Sequence, residues 1–240
     1  MLQPPGSPRS QARIAGFLYL IIIVAGAVGY TVHSTLFVWN DAAATAGNIL
    51  ASEQRWRLSF AAMLVMLACD VAVAAIFYVL FRPVNRTLSL IACAFRLVLV
   101  AIVGVAILGR YAPLLILDDA AFAAFETDQL QAIGLLSIRM FEKGFEVALV
   151  FFGFHCLAIG WLIYRSSFLP RFLGVLLLIA GLSYLISTFV NLVFRMIVLP
   201  FDILPLSYGA ELVLCLWLIV KGVNAERWNE QARRRLDEAS

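Results

Sequence analysis

Six stretches of the chain are almost uninterruptedly apolar: Ile14 to Val32, Leu58 to Phe81, Leu88 to Leu108, Val147 to Tyr164, Phe172 to Phe194 and Ile203 to Val220. Each is long enough, or nearly so, to cross ~30 Å of hydrocarbon as a helix rising ~1.5 Å per residue. None shows the period-two alternation of an outer-membrane barrel strand. The pattern predicts an all-α, polytopic integral membrane protein: a bundle of six transmembrane helices within residues 13–224. A disordered tail is expected over 1–12, where Pro4, Pro5, Gly6 and Pro8 cluster, and a basic tail over 225–240. The first stretch starts like a secretion signal, with Arg9 and Arg13 before the apolar run and Ala25-Gly26-Ala27 resembling a cleavage site. Apolar residues continue to Val32, so it reads as a retained span.

The polar segments fix an expected orientation. Eleven of the 18 Lys and Arg fall in the N-terminal segment, the second and fourth loops and the C-terminal tail; six fall in the other loops, and Arg96 lies inside a span. Cations concentrate on the cytoplasmic side, so both termini are predicted there, with the protein in the cell membrane. Trp39 and Trp56 on one side, and Trp161 and Trp217 on the other, are expected at headgroup depth. On the external side, Asn40-Asp41 followed by Ala42 to Glu53 reads as an N-capped surface helix. The tail carrying Arg233-Arg234-Arg235 reads either as a continuation of the last helix that meets anionic lipid or as a solvated polar tail.

Composition agrees with this picture: 63% of residues are hydrophobic and 14% charged, against roughly 45–50% and 25% in a soluble domain. The net charge of +3 is not gathered into a stripe, which argues against nucleic acid as a partner. Cys69, Cys93, Cys156 and Cys215 all sit in apolar runs without a CxxC pair, so they read as small apolar side chains. No metal site and no cofactor are expected.

The informative residues break the apolar pattern. A charge at bilayer depth costs at least ~2.5–3.5 kcal/mol, so an embedded ionisable group needs a partner or a wet cavity. Asp70, Arg96, His155 and Glu211 are such groups. Asp70 lies ~16 Å from the end of its span and Arg96 ~12 Å from the start of the next. The turn over 82–87 makes those helices antiparallel neighbours, so an Asp70–Arg96 ion pair is expected. In the fifth span Gly174, Leu177, Gly181, Tyr184, Thr188, Asn191 and Arg195 recur at steps of three and four, on one helical face. Its inner half is small and suited to helix contact; its outer half is polar. Glu142 and Glu146 are a like-charged i, i+4 pair that calls for a cation between helices, with Arg195, Arg139 and Lys143 as candidates. Together these residues suggest an outward-facing polar cavity, rimmed by Glu142, Glu146, Asn191, Arg195 and Glu211 and floored by Asp70, Arg96 and His155.

Several short motifs occur in order: Arg13-Ile14-Ala15-Gly16 with Tyr19-Leu20, Asp41 to Ala46 with Asn48-Ile49-Leu50, and Arg82-Pro83-Val84-Asn85-Arg86-Thr87-Leu88. They continue with Phe151-Phe152-Gly153 and His155-Cys156, Leu169-Pro170-Arg171 with Leu173-Gly174, and Trp217-Leu218 with Val220 to Asn224. Over about Arg13 to Asn224 the chain resembles the bacterial membrane family called domain of unknown function 4386. The resemblance implies six membrane spans and brings no activity. From the residues themselves, the expected function is binding or transport of a small or amphipathic ligand from outside. An intramembrane enzyme using His155 with a carboxylate, and a structural or sensory scaffold, are the alternatives. No catalytic residue is assigned, since HExxH, GxSxG and paired-aspartate signatures are absent. The lipid bilayer, a small-molecule or lipid ligand and a second copy of the chain are the expected partners.

Overall fold

In a computed structural model of the chain, residues 7–117, 120–122, 124–194 and 203–237 are described. They form eight α-helices and a short 3-10 turn: α1 (Pro8–Leu36), α2 (Ala42–Ala51), α3 (Glu53–Phe81), α4 (Arg86–Ile116), the turn at Ala120–Phe122, α5 (Thr127–Arg165), α6 (Arg171–Leu192), α7 (Leu204–Val220) and α8 (Ala225–Asp237). The fold is all-α. Five helices (α1, α3, α4, α5 and α6) have the length and composition to cross a membrane, and α7 taken with α8 makes a sixth candidate. The chain is a multi-pass membrane protein.

The long helices pack as a closed ring. α1 touches α3, α3 touches α4, α4 touches α5, α5 touches α6, α6 touches α7, and α7 returns to α1. Two faces on each helix explain this arrangement. On α6, Phe172, Val175, Ile179, Leu182, Ile186, Phe189 and Val193 are exposed at steps of three and four, while Leu173, Gly174, Leu177, Ala180, Gly181, Tyr184 and Thr188 are buried. The outer stripe suits lipid; the inner stripe suits helix contact.

Close approach is made by glycine, as the inner half of the α6 stripe predicts. Gly153 and Gly160 of α5 face Gly181 and Gly174 of α6; a Cβ on Gly174 would fall 2.6 Å from the Gly160 carbonyl oxygen. At the seam between α1 and α7, a Cβ on Gly16 would meet Ile219 at 2.9 Å.

Four ends of the ring meet on one face. Arg13 donates to the Val220 carbonyl, the Trp228 indole to the Leu80 carbonyl at 2.8 Å, and the Asn224 amide to the Phe168 carbonyl. The start of α1 therefore lies beside the end of α7, and α8 beside the α3–α4 and α5–α6 turns. Opposite, α2 packs on α5, and Asp41 Oδ1 caps it by accepting from the Ala44 amide at 2.8 Å, as expected.

Three expectations about boundaries are corrected. Residues 8–12 are the first turn of α1 and not tail, with Ser7 as N-cap and Pro8 in the first turn; residues 1–6 lie outside the described residues. The last helix does not run on. Gly222 takes a left-handed φ of 66° behind Lys221, Asn224 Oδ1 accepts from the Arg227 amide, and α8 leaves at 100° to α7. Helices α4 and α5 extend well past the apolar runs, so Arg110, counted with the loops, is a helical residue, and Glu142 and Glu146 lie within α5.

Candidate functional site

Each of the six helices in the ring sends one polar side chain to the same depth. Measured from the helix ends on the face that carries the termini, Tyr19, Asp70, Arg96, His155, Tyr184 and Glu211 lie nine to thirteen residues in, or ~14–20 Å at the helical rise. That is the middle of a bilayer-sized ring. All six are at least nine-tenths buried.

The expected ion pair is present at the centre. Asp70 Oδ1 accepts from Arg96 Nε at 2.8 Å and from Nη2 at 2.6 Å. The guanidinium also reaches His155: Nη1 lies 3.2 Å from Nε2, while Nδ1 lies 2.8 Å from the Ala92 carbonyl. Only Nδ1 can donate to that carbonyl, so Nε2 is the acceptor for Arg96 and the imidazole is neutral, a tautomer assigned from its partners. The face of the guanidinium lies 5.0 Å from the Tyr19 ring and 5.6 Å from that of Phe152. Cation–π contact of this kind gains strength away from water. Beyond Arg96, Glu211 takes two tyrosine hydroxyls: Tyr19 donates to Oε2 at 2.7 Å, and Tyr184 donates to Oε1. Phe77 and Phe152 both lie nearly parallel to the His155 ring.

Helical periodicity puts these groups there. The buried stripe of α4 runs Ser89, Ala92, Arg96, Leu99, Val103, Ile107, Arg110 at steps of three and four. On α3, Val73 and Phe77 follow Asp70 at three and seven, and on α7 Ser207 and Leu214 flank Glu211. Each polar residue thus occupies a core position of an otherwise apolar face.

Of the eight residues expected in one cavity, the ring brings four together: Asp70, Arg96, His155 and Glu211. Glu211, expected at the rim, is at the centre. Glu142 and Glu146 are thirteen and nine residues from His155 along α5, ~20 and ~14 Å away, and have other partners. Glu142 Oε1 lies 3.0 Å from His33 Nε2, and Lys143 bonds both oxygens of Glu146 at 2.8 Å. Asn191 is exposed near the end of α6. Arg195 lies outside the described residues.

Sequence reasoning missed Tyr19 and the role of Tyr184, because tyrosine in an apolar run reads as an apolar residue. It also missed Arg110, fourteen residues after Arg96 and so on the same face of α4. Arg110 is buried and donates to Ser59 Oγ at 2.9 Å and to the Gly29 carbonyl at 3.3 Å. Its guanidinium stacks 4.4 Å over Trp56, whose indole donates to the Arg110 carbonyl at 2.9 Å. Trp56, expected at the headgroups, is a core residue instead; Trp39 is exposed. Among the described residues, no three His, Cys, Asp or Glu are placed to hold a metal ion.

Known proteins add a family and no chemistry. An "Uncharacterized protein" of Archaeoglobus fulgidus is 27% identical over 164 residues, which is 68% of this chain and 83% of that protein. No solved structure matches the chain. Residues 14–222 match the family described as Domain of unknown function (DUF4386), and the chain belongs to that family.

Proposed function

We propose that the protein lies in the cell membrane with both termini in the cytoplasm and binds or transports a small, cationic or amphipathic ligand at the centre of its helix ring. One observation carries the reading: six helices each place one polar side chain, at one depth, into two hydrogen-bonded clusters that the Arg96–Tyr19 cation–π contact joins. Packing alone has no need of two acids and a guanidinium in that position, where each is costly and characteristic of ion or substrate paths. The acids outnumber the guanidinium, and the neutral imidazole adds no charge. A cationic group is the ligand that this imbalance favours, competing with Arg96 for Asp70 and with the tyrosines for Glu211. The excess of cations on the terminal face supports the orientation.

Cys156, buried beside His155, is a native probe of opening. With Cys69, Cys93 and Cys215 replaced by Ala, Cys156 should react with a small cationic methanethiosulfonate in sealed vesicles from at least one side. Complete protection over hours, with rapid labelling after denaturation, would overturn the reading.

A second reading is favoured by the satisfaction of Arg96, whose three nitrogens all have partners: the network fixes helix register and binds nothing. Full cellular function after joint apolar replacement of Asp70 and Arg96 would select it.

A further inference from the structure

A large concavity lies far from this network, on the face that carries the start of α1 and helix α8. It has a volume of about 1110 Å³ between the α5–α6 turn, the start of α4 and α8, just above the usual size range of ligand pockets. We propose that it is a binding site for the phosphate group of an anionic phospholipid.

The lining chemistry selects phosphate. Arg165, Arg171, Arg227, Arg234 and Arg235 line the cleft against a single carboxylate, Glu230. Every cation in it is arginine, whose planar fork bonds phosphate oxygens in pairs where lysine offers a point charge. Among the described residues, Arg165, Arg171, Arg227 and Arg234 form no ion pair with a carboxylate. Backbone breaks bring them together: Arg165 ends α5, Arg171 opens α6, and the other three project from α8.

The position selects lipid over a soluble phosphate. Arg165 and Arg171 mark the membrane ends of two long apolar helices, so the cleft sits at headgroup level. Trp161, one turn inward from Arg165 and half exposed, forms part of its wall, and indole rings settle at that interface. Helix α8 forms the other side. It lies at 100° to α7, and the Trp228 indole, the Gln231 carboxamide on Ser167 and the Arg235 guanidinium on the Val84 carbonyl pin it there. A basic pocket between helix ends at this depth is the general form of a lipid-headgroup site.

The test uses the full chain, stripped of lipid in detergent, with bound lipid counted by native mass spectrometry. The probes are phosphatidylglycerol, cardiolipin, phosphatidylcholine and inorganic phosphate. Anionic lipids should be retained at least ~10-fold more than phosphatidylcholine. The triple variant Arg165→Gln, Arg171→Gln, Arg234→Gln should bind them on the order of 100-fold more weakly, about fivefold per arginine near an anionic headgroup. A control variant of the opposite face, Arg55→Gln with Arg57→Gln, should bind as the wild type does. Single Arg165→Gln and Arg171→Gln variants replace the triple if its circular dichroism shows loss of fold. Equal retention of anionic and zwitterionic lipid, wild-type binding by the arginine variants, or retention of inorganic phosphate as strong as that of lipid each overturn the assignment.

Discussion

Removing Asp70 while keeping Arg96 leaves a guanidinium in the centre of the ring with its counterion gone. The two side chains are 6% and 0% exposed, so water does not replace the lost partner. Asp70 accepts two charge-assisted hydrogen bonds, each worth roughly 1.5–3 kcal/mol, and breaking a buried pair from one side costs about 3–5 kcal/mol. Asp70→Leu and Arg96→Met should therefore each lose about that amount. The double variant removes both charges and leaves one new defect, the orphaned Nε2 of His155, which costs about 1–3 kcal/mol. It should be more stable than either single variant, with a coupling energy of at least ~2 kcal/mol. Unfolding by sodium dodecyl sulfate in mixed micelles, followed by tryptophan fluorescence and circular dichroism, measures all four proteins. Losses that simply add, with coupling below about 0.5 kcal/mol, would show that the pair does not act as a unit and refute the reasoning.

Two further outcomes follow from packing on either side of that network. Gly174→Ala should destabilise the protein by about 1–3 kcal/mol in the same assay, since its Cβ would press on a backbone oxygen that has no rotamer to escape by; Gly209→Ala, where a Cβ meets nothing within 4 Å, is the matched control, and equal losses would refute the close α5–α6 contact. Arg110→Met should stay within about 1 kcal/mol of the wild type, because Arg110 has no carboxylate partner among the described residues and an apolar chain of similar length recovers the desolvation cost; a loss above ~3 kcal/mol would mean that an anion balances Arg110.

Much of the fold was legible because apolar length and helical period are local properties. The Asp70–Arg96 pair was legible for the same reason: a short turn joins the two helices, so counting residues from it gives both depths. Helix boundaries were harder to read. The apolar run in α5 begins at Val147, yet the helix starts at Thr127, because backbone hydrogen bonding does not stop where lipid does. The end of α7 carried its own signal, Lys221-Gly222 followed by Asn224, a left-handed stop and a new N-cap. Taking the apolar run as a guide overrode it.

What residue counting does not supply is which helices close the ring. Tyr19 and Glu211 are 192 positions apart, and nothing local to either shows that α1 and α7 are neighbours. Without that closure Glu211 has depth and no direction, so it was assigned to a rim with Glu142 and Asn191. Once α7 is placed between α6 and α1, its carboxyl group has a tyrosine on each side, and Tyr184 of the α6 stripe becomes part of a central network. The α1–α7 seam is also held by Gly16 against Ile219, by Arg13 on the Val220 carbonyl and by the Cys215 thiol, which donates to the Gly16 carbonyl at 3.3 Å. All three contacts lie between the network and the terminal face. The Tyr19–Glu211 bond joins the two helices at the depth of the network.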